Sequence, residues 1–539
     1  MKKTFFVLAS ITILSLLPFF NSQFFYTQDH IFIARLQQMS TALSDGHFPV
    51  RWAPDLRFGE PLFNFYAPLP YYLGAMIKLF GFNYIWVAKI LFILSSFLSA
   101  ITMYIFCRQL FSGRAAFLAA ALYVWAPYRA VDLYVRGALS EAFAFIFFPL
   151  IFYTALLLSQ KVSWPRLSFL SLSLAGLFLT HNVTTLIFLP FFTAWLGYLI
   201  WQRANLKLIF PFLGAIILSA GLASFFLLPA IFEREFIQTK YLLVGYFDFR
   251  AHFVAFYQFF SPVWGYGASL WGPIDDMSFQ VGLVNWLILI LSLGLGFILR
   301  QNKKLLIFPG FLFFLFFLSI FLQHNKSAFV WEAIPLMAFI QFPWRFLAIS
   351  IFIVSILGGV LAEHLKNKLF YAALFILTIG LNIQFFQPRN FVEDSFFDKF
   401  LNADSMHRGM DLTKDYFPIW VKFDRVEYFP TPRANSGEIE VSSFEKKTGR
   451  AVGEITVLSE SEIEVPITYF PGWEVKAGGE RINLSEPSLQ GLITFKLPPG
   501  EYQIDLALKN TPVRMVGNVI SLISFLLVLG FYVKFHKIA

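Results

Sequence analysis

Long apolar runs separated by short polar gaps are the dominant pattern of the chain. The first extends from Phe5 to Phe20, and the others fall near 84–107, 115–134, 138–159, 167–180, 183–201, 207–232, 281–299, 305–323, 346–363, 369–386 and 513–534. A membrane-spanning helix needs about 20 mainly apolar residues. The pattern therefore predicts a polytopic α-helical membrane protein with about twelve spans, of which the pair 167–180 and 183–201 is the least certain because 167–180 is short.

The basic residues in the gaps predict an orientation for these spans. The piece from Pro68 to Phe80 is short and broken by Pro and Gly, so we interpret it as a helix lying in the membrane interface. All the gaps on the N-terminal side of the membrane are then basic, and they hold Arg108, Arg114, Lys161, Arg166, Arg203, Lys207, Arg300, Lys303, Lys304, Lys366, Lys368, Lys534 and Lys537. By the positive-inside rule, both termini are predicted to be cytoplasmic in a cell membrane.

The first apolar run has an alternative interpretation as a cleaved signal peptide. Asn21-Ser22-Gln23 is not a small-x-small cleavage site, and the later spans need a cytoplasmic N-terminus. We therefore expect a retained helix, followed by an outer loop at 21–83.

The spacing of apolar residues changes after the eleventh apolar run, 369–386. Apolar residues alternate with polar ones at 438–441, 462–465, 493–497 and 502–506, which is typical of half-buried strands. The segment from Lys476 to Glu480 contains two glycines and predicts a hairpin turn. We predict three units: a transmembrane module at 1–386, an extracytoplasmic β-sandwich at 387–512, and a last span with a cytoplasmic tail at 513–539. The sandwich has no nucleophile motif, so a structural or carbohydrate-contacting role is favoured for it.

Composition narrows the class further. Hydrophobic residues make up 57% of the 539, Phe numbers 71, and the mean hydropathy is +0.64, so lipid is the solvent for most of the chain. The net charge of +9 does not indicate a nucleic-acid partner, because the basic residues lie in the gaps as topology signals. The single cysteine, Cys107, excludes an intrachain disulfide, and Cys/His metal motifs are absent from the sequence.

The predicted outer loop at 21–83 holds the first candidate chemistry. Asp29 and His30 follow the first span directly, and Glu60 lies further along the loop. Asp29 precedes a partly amphipathic stretch at 31–43, so it is either a helix N-cap or a general base at the membrane boundary, and the two roles are compatible.

Other polar residues are predicted on the same side of the membrane. Arg136 and Glu141 flank the outer end of a span, where they either pair with each other or face a water-filled cavity. His181 and Asn182 lie between two spans, as a polar turn or as part of a site. Trp344 and Arg345 precede a span, as an interfacial aromatic anchor with a snorkelling arginine or as part of a site.

These features resemble a known plan of membrane enzymes. The N-terminal span, the large outer loop with an early acidic residue, Ala67-Pro-Leu-Pro-Tyr71 and Leu79-Phe-Gly81 resemble the GT-C membrane glycosyltransferases, among them protein O-mannosyltransferases and lipid A aminoarabinose transferases.

The closer similarity is to a bacterial membrane family labelled pyruvoyl-tetrahydropterin synthase-related. It rests on short motifs, namely Arg51-Trp52, Phe63-Asn-Phe-Tyr-Ala-Pro68, Ala126-Pro-Tyr-Arg129, Arg136-Gly-Ala-Leu-Ser-Glu141, Thr180-His-Asn182, Tyr469-Phe-Pro-Gly-Trp473 and Leu497-Pro-Pro-Gly500. This label is only a name, because no pterin chemistry is visible in these residues.

The resemblance implies a GT-C-like fold and a glycosyltransferase that moves a hexosyl or pentosyl group from a polyprenyl-phosphate donor to a glycan, lipid or protein acceptor of the cell envelope. Asp29 matches the acidic position expected to act as general base, with His30 beside it. Arg136, His181 and Arg345 would bind the donor phosphate. Glu60, Glu141, Asn182 and Trp344 would contact substrate. Related enzymes often have acidic pairs where this chain has Asp-His, so the need for a divalent metal stays open, and no metal ligand is assigned.

Two other functions remain as alternatives. A polyprenyl-lipid transporter or flippase would also need outer basic residues, but it should carry ionisable residues along the bilayer midplane, and the predicted spans hold few. A scaffold displaying the β-sandwich would not explain the polar residues collected on one side of the membrane.

Overall fold

The computed structural model describes residues 2–365, 367–407, 416–422 and 427–536. Lys366 and Lys537 of the predicted basic gaps, and 408–415 and 423–426 of the predicted β-rich unit, lie outside these ranges.

The α-helices are Lys2–Leu14, Ile31–Ser44, Leu62–Phe65, Leu69–Lys78, Tyr84–Leu110, Gly113–Val124, Pro127–Ala130, Leu139–Ala144, Phe147–Gln160, Trp164–Phe178, Asn182–Arg203, Ile209–Leu222, Ser224–Phe232, Leu283–Leu299, Lys303–Gln323, Ala328–Ala333, Leu347–His364, Lys368–Gly380, Ala403–His407 and Pro512–His536. Short 3-10 turns connect many of them, and Val131–Arg136 forms a π-helical turn.

Several of these helices are long and apolar enough to cross a membrane, so a multipass membrane protein is confirmed. Among the described residues, seven helices pass by length and composition, at Tyr84–Leu110, Leu139–Gln160, Asn182–Arg203, Lys303–Gln323, Pro343–His364, Lys368–Phe385 and Pro512–Gly530. An eighth span results if Leu206–Leu222 and Ser224–Phe232, which meet at 78°, count as one. Thr4–Leu14, Gly113–Val124 and Leu283–Ile298 are apolar but shorter. The count of twelve and the orientation of the termini stay predictions.

The predicted span at 115–134 is not one straight helix. Its helix ends at Val124, the backbone at Ala126 is extended, and a new turn begins at Pro127. Proline disfavours the helical conformation of the residue before it, which explains the break. The π-helical turn then carries the chain toward Gly137, and this irregular stretch holds Arg136 of the candidate site.

Helix Leu347–His364 lies at the centre of the helical core and is buried along almost its whole length. Gly358 permits one of its closest contacts, because a Cβ there would lie 2.2 Å from Leu122 Cδ1. Pro343–Phe346, a 3-10 turn at the start of this helix, therefore has a fixed position relative to Gly113–Val124.

The predicted β-rich region is confirmed. Two short strands, β1 (Phe24–Phe25) and β2 (Phe391–Val392), pair with each other in antiparallel fashion. The remaining strands are β3 (Arg433–Ser436), β4 (Ile439–Lys447), β5 (Arg450–Val457), β6 (Ser461–Thr468), β7 (Trp473–Ala477), β8 (Glu480–Ile482), β9 (Leu492–Leu497) and β10 (Gly500–Leu508). They form antiparallel sheets ordered β4-β5-β10-β7-β8 and β3-β6-β9. Gly478 and Gly479, both at positive φ, make the predicted two-residue hairpin turn between β7 and β8.

The core of the sandwich extends into the first outer loop. Trp52 packs against Trp473 with ring centroids 5.7 Å apart, and Phe65 packs against Phe470 at 6.2 Å. Thr468 N also donates to the carbonyl of Phe58 at 3.1 Å. The strand pair β1–β2 ties the start of the same loop to the segment that follows the helical module. The first outer loop is therefore held between the helices and the sandwich.

Candidate active site

A cavity of about 790 Å³ opens beside the start of the first outer loop. Its wall combines residues from that loop, the turn at 136–138, the loop after Ser224–Phe232, the turn before Leu347–His364, and the segment after β2. The lining residues are Gln28, Asp29, His30, Ile31, Arg35, Arg136, Ala138, Tyr246, Phe247, Ala268, Ser269, Phe342, Trp344, Arg345, Lys399 and Phe400. Five of the predicted site residues, Asp29, His30, Arg136, Trp344 and Arg345, are thus brought together.

Backbone hydrogen bonds hold Asp29 in this wall. Gln28 N donates to Val135 O and Asp29 N donates to Arg136 O, both at 2.9 Å. This close approach requires Gly137, which has φ of +67° and where a Cβ would lie 2.4 Å from Thr27 Oγ1. The π-helical turn and the first outer loop are therefore fixed against each other at the site.

The Asp29 carboxylate is held on one side and open on the other. Its Oδ1 accepts a hydrogen bond from Ile31 N at 3.1 Å, as in a turn closed by an aspartate side chain, while the N-cap position of helix Ile31–Ser44 is His30 and has no side-chain cap hydrogen bond. Its Oδ2 lies 3.9 Å from Arg35 Nη1, beyond hydrogen-bond distance, and 42% of the side chain is exposed. Enclosure by the protein raises the pKa of Asp29, and the Arg35 charge opposes that rise. The hydrogen bond to Ile31 N thus leaves Oδ2 available to accept a proton.

His30 has a different environment. Its ring packs edge-on against Tyr26 and Phe396, at 4.8 and 5.1 Å between centroids, and its Nδ1 lies 3.3 Å from Thr27 Oγ1. Burial and the charge of Lys399 lower the pKa of His30 to about 4. The imidazole is therefore neutral near pH 7.

Two arginines face the cavity from a shared anionic support. Arg136 Nη1 bonds to Asp132 Oδ1 one turn before it and to Glu141 Oε2 at 2.8 Å. Arg345 Nε lies 3.9 Å from the same Glu141 oxygen. Trp344 is the neighbour of both, with its ring centroid 4.7 Å from Arg136 Cζ and 5.9 Å from Arg345 Cζ. Each guanidinium group is planar and presents several N–H donors, so two of them side by side suit an oxyanion such as phosphate.

Glu141 lies behind the arginines and does not line the cavity. Its side chain is buried, its Oε1 accepts from Tyr128 OH at 2.6 Å, and its Oε2 is used by Arg136. The mutual salt bridge considered from the sequence is therefore present. The geometry gives Glu141 a positioning role, whereas the sequence suggested contact with substrate.

The remaining predicted residues do not line the cavity. His181 is near Glu141, its Nδ1 lies 2.6 Å from Thr184 Oγ1, and burial lowers its pKa to about 3. Asn182 donates from Nδ2 to Phe65 O at 2.8 Å, so it holds the end of helix Leu62–Phe65. Glu60 is buried in a backbone bridge with Ala53. Their predicted substrate-binding and phosphate-binding roles have no direct geometric support here.

The sequence prediction missed two cations of the wall, Arg35 and Lys399. Arg35 lies on helix Ile31–Ser44 with its Cζ 4.1 Å from the Tyr66 ring centroid, and its position shortly after Asp29 on an amphipathic stretch could have identified it. Lys399 lies in a short 3-10 helix after β2, and no periodic signal marks it. Asp132, which supports Arg136, was hidden inside a predicted span.

The described residues contain no group of three His, Cys, Asp or Glu side chains that could hold a metal ion. The cavity wall presents Asp29 among arginines and a lysine, a poor donor set for a divalent cation. We therefore assign no metal ligands.

Comparison with known proteins places the chain in a family. A family model described as 6-pyruvoyl-tetrahydropterin synthase related domain, membrane protein, matches residues 63–387, which is more than half of the chain. The chain belongs to this family. The matched part includes Arg136, His181 and Arg345 and begins after Asp29.

A relative from Lactococcus lactis subsp. cremoris (strain MG1363), described as an uncharacterized protein, is 28% identical over 290 residues, which is 51% of this chain and 45% of that protein. The match thus spans less than half the length of that relative.

Two solved structures are similar over most of the chain. The apo oligosaccharyltransferase of Archaeoglobus fulgidus is 13% identical, with 80% of this chain and 61% of that chain covered and a TM-score of 0.43. ArnT from Cupriavidus metallidurans bound to undecaprenyl phosphate is 14% identical, with 75% and 73% covered and a TM-score of 0.37. Both TM-scores are below 0.5, so these similarities assign no function to the chain.

Proposed function

We propose that the protein is a membrane glycosyltransferase that moves a sugar from a polyprenyl-phosphate donor to an acceptor hydroxyl at the outer face of the membrane. The observation that carries this proposal is the cavity in which one open carboxylate, Asp29, faces Arg35, Arg136, Arg345 and Lys399. A base and an oxyanion site within one enclosure are what transfer from a phosphate leaving group requires.

In this mechanism the acceptor oxygen attacks the anomeric carbon of the donor. The bond between that carbon and the phosphate oxygen breaks, and its electron pair leaves with the polyprenyl phosphate. The hydroxyl proton passes to Asp29 Oδ2, the oxygen that lies 3.9 Å from Arg35 and beyond hydrogen-bond distance. A single displacement of this kind inverts the anomeric configuration, so we expect the product to have the opposite configuration to the donor.

The arginine pair would stabilise the charge that develops on the leaving phosphate. Arg136 and Arg345 converge on Glu141, which orients both, and their exposed edges line the cavity. Charge-assisted hydrogen bonds to phosphate are stronger in an enclosed site than in water. Arg35 and Lys399 add positive charge on the side of Asp29.

Apolar contacts for the sugar or the first prenyl units would come from the aromatic wall. Trp344 stacks on Phe342 and Phe279 with ring centroids 5.0 and 5.9 Å away, which holds its ring plane. Amphipathic aromatic side chains suit a ligand with apolar and polar parts.

A donor assay tests the proposal directly. Purified full-length protein would receive a panel of polyprenyl-monophosphate sugars with and without chelator, and mass spectrometry would follow free polyprenyl phosphate. Asp29→Asn should abolish release and keep donor binding. The matched control is Asp505→Asn, which removes the same charge from an exposed ion pair with Arg450 on the sandwich. Release from none of the donors, despite lipid binding, would contradict the transferase and make a transporter the function to test.

A further inference from the structure

A second, smaller pocket lies where the sandwich, the first outer loop and the last helix meet. Its volume is about 100 Å³, several times what one water molecule needs. The lining residues are His47, Phe48, Pro49, Arg51, Trp52, Thr448, Gly449, Leu508, Lys509, Asn510 and Arg514. They come from three separate parts of the chain, and none of them lines the larger cavity.

We propose that this junction pocket binds a phosphate-type oxyanion, either as free phosphate or as the headgroup of an anionic phospholipid. Three cations line the pocket, namely Arg51, Lys509 and Arg514. Two carboxylates contact lining residues, but both are already used. Glu233 bonds to Arg514 at 2.9 Å and to Asn64 at 2.7 Å, and Asp45 accepts from Thr448 N at 2.7 Å.

Polar atoms in the pocket wall remain unsatisfied. Thr448 is 1% exposed, and its Oγ1 has no hydrogen-bond partner among the described residues. Arg51 Nε is likewise buried without a partner in the described part of the chain, although its Nη atoms bond to Phe225 O and Asn518 Oδ1, both at 2.8 Å. A buried donor without a partner is costly, and an oxyanion would accept from both groups.

The location favours a ligand at the membrane surface. Lys509 and Asn510 come directly before Pro512, where the last membrane-spanning helix begins. Phe48, on the pocket rim, is 78% exposed. Burial and, second to it, the neighbouring charge of Arg514 lower the pKa of Arg51 to about 10, while the Glu233 charge opposes that shift. A bound anion would join the sandwich, the first outer loop and the last helix.

Hydrogen–deuterium exchange of the full-length protein, read by mass spectrometry, would locate the binding. Inorganic phosphate at fixed ionic strength and phosphatidylglycerol in nanodiscs would be the probes, with chloride and phosphatidylcholine as references. We expect slower exchange in peptides that cover 44–53 and 446–452. Protection by phosphate alone would indicate a free oxyanion site, and protection by phosphatidylglycerol but not by phosphate would indicate a lipid headgroup site.

Two conservative variants test the assignment. Thr448→Val removes one hydroxyl, and Lys509→Gln removes one exposed charge. In each variant, about ten times more ligand should be needed to give the same protection, because each change removes one hydrogen bond or charge contact to the anion. Lys496→Gln, an exposed lysine on β9, is the matched control and should behave as wild type. Absence of protection in the wild-type protein, or protection as strong as wild type in both test variants, would overturn the proposal. The readout does not depend on transferase activity.

Discussion

The cavity beside Asp29 and the junction pocket beside Arg51 share one arrangement of charges. In each, two arginines lie near a buried carboxylate, which is Glu141 behind the cavity and Glu233 at the junction. Both carboxylates have their oxygens occupied by hydrogen bonds, so neither is available for proton transfer.

The two regions differ in the carboxylates that line them. The cavity has a further carboxylate, Asp29, with an oxygen that faces open space, whereas none of the described residues lining the junction pocket is a carboxylate. Paired arginines therefore indicate an anion site, and only the addition of an available base indicates group transfer. The following changes test that distinction.

The largest effect should come from Asp29→Asn. The amide keeps the size of the side chain and can still accept from Ile31 N, but it cannot accept the hydroxyl proton. We expect kcat to fall by about 10²- to 10⁴-fold with donor affinity unchanged, measured by polyprenyl phosphate release. Transfer at the wild-type rate in this variant would exclude Asp29 as the base.

The second comparison replaces the two supporting carboxylates, in Glu141→Gln and Glu233→Gln. Glu233→Gln leaves the buried charge of Arg514 without its carboxylate, which typically costs about 3–5 kcal/mol of folding stability, whereas Asp132 still compensates Arg136 in Glu141→Gln. Thermal unfolding in detergent should therefore report the larger loss in Glu233→Gln. Donor binding should weaken in Glu141→Gln alone, and an equal loss in Glu233→Gln would show that the effect is a general one on folding.

The third comparison replaces one arginine in each region, in Arg345→Gln and Arg514→Gln. Loss of a charge-assisted hydrogen bond to the donor phosphate should weaken its binding by about tenfold to a hundredfold. Equilibrium binding of a polyprenyl-phosphate sugar would measure this effect, and Arg514→Gln should bind normally. Normal donor affinity in the double variant Arg136→Ala, Arg345→Ala would refute the phosphate role of the pair.

The smallest effect concerns pH. Asp29 must be ionised to accept a proton, and its pKa is raised by enclosure, so activity should fall as the pH drops toward that raised pKa. A profile of kcat/KM against pH should have one ascending limb, with its midpoint above the ordinary pKa of an aspartate. If Asp29 is the titrating group, His30→Gln should leave this limb in place. A limb that moves in His30→Gln would assign the titration to the histidine.

The local patterns of the sequence determined much of the architecture. Apolar runs predicted the membrane helices, because lipid requires continuous apolar stretches. Alternation predicted strands that match β4, β6, β9 and β10, and two glycines predicted the hairpin turn between β7 and β8. The family was also identifiable from short motifs, of which those between residues 63 and 387 lie in the part of the chain that the family model matches.

Only the tertiary structure decided which polar residues share a site. Asp29, Arg136 and Arg345 were predicted from their separate positions beside apolar runs, but no local pattern places them around one cavity with Lys399. The same holds for Glu141, whose position behind the arginines depends on the break at Pro127 and the π-helical turn that follows. Periodicity reports which face of an element is buried, whereas convergence of distant loops depends on how the helices pack, and that information is spread over the whole chain.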